Sequence, residues 1–83
     1  MNQGEQPAQG AYIQAGQTAG GFRDFLLGEP IHAGSTLEVL LGGRWISGRY
    51  ECDYHSGDAW LYLSDAVVPI NRTEMHFRWP SRD

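Results

Sequence analysis

The chain has 83 residues, enough for one small domain with a single core, and its 41% hydrophobic and 19% charged content is that of a globular protein. Ten acidic residues face six basic ones, all arginine, for a net charge of −4, so no broad basic face is available for a phosphate backbone and unaided binding to duplex nucleic acid is not expected. The single Cys52 excludes an intrachain disulfide framework, and no apolar run approaches the ~18 residues of a membrane-spanning helix.

The N-terminus shows no basic stretch followed by an apolar one, so it does not read as a secretory leader, and a cytoplasmic chain is expected. Residues 1–21 are rich in glycine and glutamine, with apolar side chains that follow no period. Such a segment has little to bury against its ordering entropy and reads as a disordered tail, in which Tyr12 and Ile13 alone are suited to docking on the domain or a partner. The folded domain is expected over residues 22–83. Phe22, Phe25 and Leu26 fall at i, i+3 and i+4, which predicts a short helical cap ending at Gly28.

From Thr36 the period changes to two. Leu37, Val39 and Leu41 share one face of a strand, and Gly42-Gly43 is a strong signal for a two-residue hairpin. The return strand, Arg44 to Cys52, sets Ile46, Gly48, Tyr50 and Cys52 against Trp45, Ser47, Arg49 and Glu51, with Gly48 marking a bend or a close approach. After a polar loop from Asp53 to Asp58 come a strand over Ala59–Ser64, a turn at Asp65 and a short strand interrupted by Pro69. Asn71-Arg72-Thr73-Glu74 fits a tight turn, and Met75, Phe77 and Trp79 line one side of a last strand that Pro80 stops. Five short strands in so few residues imply an all-β, strongly bent small barrel.

Within that pattern, the run Gly43-Arg44-Trp45-Ile46-Ser47-Gly48-Arg49-Tyr50, the Asp/His/Gly loop and the strand around Trp60 and Tyr62 resemble the five-stranded SH3-like small barrel in its Tudor or Agenet form. The pattern also resembles small bacterial proteins found near mobile genetic elements. A second resemblance is to the plasmid- and integron-borne trimethoprim-resistant dihydrofolate reductases, which join a disordered tail to an SH3-like barrel and assemble as tetramers around one pore. The Val-Gln-Ile-Tyr stretch of that family has no counterpart in Tyr62-Leu63-Ser64 or Val68-Pro69-Ile70, so no catalytic residue carries over.

Cys52 and His55 are a thiol and an imidazole three residues apart, but a structural zinc site needs paired knuckles, and Cys52 alternates with Ile46 and Tyr50 as a small buried group would. Ser56, His55 and Asp58 are crowded into one turn and suit turn hydrogen bonds better than a catalytic triad. The aromatic residues are the better lead. If Leu61 and Leu63 fill the barrel, Trp45, Trp60 and Tyr62 project outward, and exposed aromatic clusters mark recognition surfaces. With Tyr54 from the loop and with Arg44 and Arg49 as directional donors, they define the expected partner-binding residues of a non-enzymatic module that needs no cofactor or metal. A protein partner is expected, with a second copy of the chain as a further candidate at the edge near Pro69. Two alternatives belong to other classes: a small phage or mobile-element inhibitor of a host defence complex, of the anti-CRISPR or antirestriction kind, and an oligomeric pore reductase.

Overall fold

The computed structural model describes residues 6–81 and shows two antiparallel sheets, with no helix among those residues. A three-stranded sheet has the order β1-β2-β3, formed by Gln14–Thr18 (β1), Gly21–Leu26 (β2) and Glu29–Pro30 (β3). The remaining strands are β4 (Thr36–Leu41), β5 (Arg44–Cys52), β6 (Ala59–Tyr62), β7 (Val67–Pro69) and β8 (Phe77–Arg78), in the order β7-β6-β5-β4-β8. Its end strands, β7 and β8, are not hydrogen-bonded to each other, so the sheet does not close on itself. Among the described residues there is thus no helix long and apolar enough to cross a membrane.

The period-two reading from Thr36 onward corresponds to these strands. Leu41 pairs with Arg44 across Gly42 and Gly43, whose φ angles of 58° and 79° are the left-handed pair that a two-residue hairpin demands. β5 serves two neighbours, its first part pairing with β4 and Arg49–Cys52 pairing with β6. Gly48 sits where both meet: a Cβ there would lie 2.6 Å from Leu61 Cγ and 2.8 Å from Leu63 Cδ2, so only glycine lets Leu61 on β6 and Leu63 just after it approach that closely.

Two expectations are corrected. Phe22–Leu26 is strand β2, not a helical cap. A helix this short is marginal in water, whereas the extended form pairs with β1 on one side and β3 on the other and buries Asp24 and Leu26 two residues apart. The supposed tail is also built into the fold from Gln6 onward; residues 1–5 lie outside the described region. Gln6 exchanges hydrogen bonds with the Trp79 backbone, 2.9 and 2.7 Å long, and Ala11 exchanges two more with Phe77 on β8. Ile13 is 2% exposed. Sparse apolar content misleads here because β1 is stabilised mainly by its backbone ladder with β2, and one well-placed isoleucine suffices to seat the segment.

The core is one cluster that joins the sheets. Ile13, Leu26 and Ile31 come from the first sheet and its flanks, and Leu37, Val39, Tyr50, Ala59, Leu61 and Phe77 from the second. Met75 and Trp79 pack against it as the alternation predicts, but Ile46, expected inside beside Tyr50, is 36% exposed near the hairpin end.

Candidate functional site

The outer face of the five-stranded sheet carries most of the expected binding residues. Strand alternation puts Trp45, Arg49 and Glu51 on one side of β5, and the register sets Arg49 opposite Tyr62 and Glu51 opposite Trp60. β7 extends the row, with Pro69 opposite Trp60 and Val67 opposite Tyr62. Tyr62 is 40% exposed and Val67 51%, while Trp60 and Trp45 are half-buried. The Arg49 guanidinium lies 5.1 Å from the centre of the Tyr62 ring and is held by Glu51 at 2.9 Å.

At the other end of this face Arg78 stacks 4.4 Å from the Trp45 ring centre and pairs with Glu38. The far edge of the indole is covered by the N-terminal segment, since a Cβ on Gly10 would come within 2.5 Å of it. Trp45 is therefore part anchor of the fold and part surface. Arg44 departs from expectation: it alternates with Trp45 and falls on the opposite side of β5, exposed beside the hairpin.

Tyr54 also lies elsewhere. It borders a cleft of about 270 Å³ between the two sheets, together with Phe22, Asp24, Tyr50, Cys52 and Arg72. The floor of the cleft holds a polar network built on Asp24. Arg72 donates from Nε to Asp24 Oδ1 at 2.8 Å and from Nη2 to Oδ2 at 2.9 Å, a bidentate pair, and Nη2 also donates to the Gly57 carbonyl at 2.6 Å. Tyr50 donates its hydroxyl to Asp24 Oδ2 at 2.6 Å. Hydrogen bonding to Asp24 raises the pKa of the Arg72 guanidinium, and burial, then the Asp24 hydrogen bond and charge, raise that of the Tyr50 phenol. The pKa of Tyr54 is raised too, chiefly by the neighbouring Cys52 side chain.

The rim loop is shaped by the turn chemistry its residues suggest. Asp53 Oδ1 accepts from the amides of His55 at 2.8 Å and Ser56 at 3.3 Å, which lowers the Asp53 pKa, and Ser56 Oγ accepts from the Asp58 amide. Sequence reasoning missed Asp24 and Arg72 as a pair, because 48 residues separate them and neither lies in a recognisable motif. The one available signal is Asp24 itself, a charged residue set between Phe22 and Leu26 in a period-two pattern.

A family model described as "Domain of unknown function (DUF5348)" matches residues 19–78. The chain belongs to the DUF5348 family. The DUF5348 match runs from the β1–β2 turn through β8, so it takes in both the outer aromatic face and the Asp24–Arg72–Tyr50 network and leaves β1 outside. No curated protein and no solved structure shows a significant match to the chain.

Proposed function

We propose that this chain is a non-enzymatic protein-binding module that grips its partner with the outer face of the five-stranded sheet. The observation that carries the reading is the cross-strand row of Arg49 on Tyr62 and Glu51 on Trp60, continued by Val67 and Pro69 at the sheet edge. Flat aromatic surface flanked by a guanidinium that is held in place is the composition of binding hot spots. The cleft groups favour binding over chemistry in their own way: both oxygens of Asp24 already accept hydrogen bonds from Arg72 and Tyr50, so the carboxylate is engaged within the fold.

In the same proposal, the five-stranded sheet is an opened SH3-like barrel, with the first sheet lying across its core. An inhibitor of a host defence complex would use the same face and differ in the identity of its partner. Affinity capture from the source cells, followed by direct titration of the captured protein, tests the reading. Tyr62→Ala/Arg49→Ala is expected to weaken binding at least tenfold while keeping the unfolding midpoint within the range of an ordinary surface change, about 0.5 kcal/mol. Undiminished affinity in that folded variant would refute the outer face as the grip.

A further inference from the structure

Natural sheets protect their edges, because an unpaired row of N–H and C=O groups is a template for another strand. Among the described residues this fold has protection at its other edges. β3 is a two-residue strand with Pro30 in it, β7 is three residues long and ends in Pro69, and β8 is covered by Ala11 through hydrogen bonds of 2.9 and 2.8 Å. β1 is the exception. Its five residues, Gln14-Ala15-Gly16-Gln17-Thr18, include no charge and no proline, four of the five are exposed, and among the described residues β2 is its one strand partner.

We propose that β1 pairs antiparallel with β1 of a second copy, joining the two three-stranded sheets into one six-stranded sheet about a twofold axis at Gly16. The occupant follows from the strand itself. With Gly16 on the axis, Ala15 faces the second copy's Gln17 and Gln14 faces its Thr18, so all five residues overlap and no like charges meet. Gly16 also clears the seam. The Phe25 ring lies across it, where a Cβ would stand 2.9 Å from Cε1, and the twofold brings the second copy's Phe25 over the same bare backbone to extend an apolar contact. The edge at Pro69, where self-pairing is expected from sequence, is the poorer template, because proline supplies no donor.

Sedimentation of the full chain over a micromolar-to-millimolar series tests this, with two charge variants. The unaltered protein is expected to approach the mass of two chains. Ala15→Lys/Gln17→Lys places lysines opposite each other twice and is expected to weaken the dimer about tenfold, whereas Ala15→Lys/Gln17→Glu places opposite charges there and restores it. A monomer at every concentration overturns the proposal and leaves the edge to a strand of another protein; a dimer equally strong in all three proteins overturns it by placing the interface elsewhere. Should the double-lysine variant fail to fold, amide exchange in the unaltered chain decides: β1 protection that falls on dilution is expected, and protection independent of concentration overturns the pairing.

Discussion

Asp24 is 4% exposed, a carboxylate buried between two sheets, and it is tolerable there because three donors reach its two oxygens. Removing one donor leaves a largely buried carboxylate oxygen short of a partner. Tyr50→Phe keeps the ring and deletes the 2.6 Å hydrogen bond, so it is expected to destabilise the fold by about 1–3 kcal/mol in urea unfolding at neutral pH. The same hydroxyl makes stability depend on alkaline pH. Its pKa in the folded chain lies above the ordinary 10.0 because burial and the neighbouring Asp24 disfavour the phenolate. The unfolded chain therefore releases this proton first, and the stabilisation, complete below that value, is lost as the pH climbs beyond it. Tyr50→Phe should flatten that decline, and unfolding midpoints measured on both sides of the tyrosine range in the two proteins check it. Apart from the charge of Asp24 between Phe22 and Leu26, nothing in the local sequence announces this trio, whose members lie on β2, β5 and the turn before β8.

Hairpins and strands show how far local chemistry reaches. Gly42-Gly43 is legible because glycine accepts positive φ without penalty, and the structure has both residues there. The β2–β3 hairpin has the same geometry with a poorer residue in it: Leu27 has φ of 54° and Gly28 81°. Leucine in that region carries a steric cost that asparagine largely avoids. Leu27 is 43% exposed, so Leu27→Asn gives up little packing and is expected to stabilise the protein by about 0.5–1 kcal/mol, read as a higher urea midpoint at unchanged slope. A leucine hides the turn from sequence reading, and this is why β2 reads as a helix: without a recognised hairpin, Phe22, Phe25 and Leu26 show only their helical spacing. From Thr36 onward, glycines and prolines stand where the strands end, so the five strands of the larger sheet emerge from period alone.

At the scale of the molecule, the N-terminal segment is a structural member. Gln6 clasps Trp79, Gly10 lies under Trp45, Ala11 covers β8 and Ile13 enters the shared core. Ile13→Ala is therefore expected to cost about 2–4 kcal/mol in urea unfolding, against less than about 0.5 kcal/mol for a residue in a free tail. The expected aromatic site divides at this scale too. Trp60, Tyr62 and Arg49 meet on the outer face, Trp45 is shared between that face and the N-terminal segment, and Tyr54 belongs to the cleft between the sheets.

Alternation and turn residues were enough to establish an all-β chain, the five strands after Thr36, and the side of each strand that carries its aromatics. Those features depend on contacts between near neighbours along the chain, for which residue order is sufficient. The pairing of Asp24 with Arg72, the seating of Ile13, the strand form of Phe22–Leu26 and the separation of Tyr54 from the tryptophans depend on which distant segments come to lie together. Their partners exist only after the two sheets have packed, because a strand's ladder and a buried charge draw their stability from groups far away in sequence.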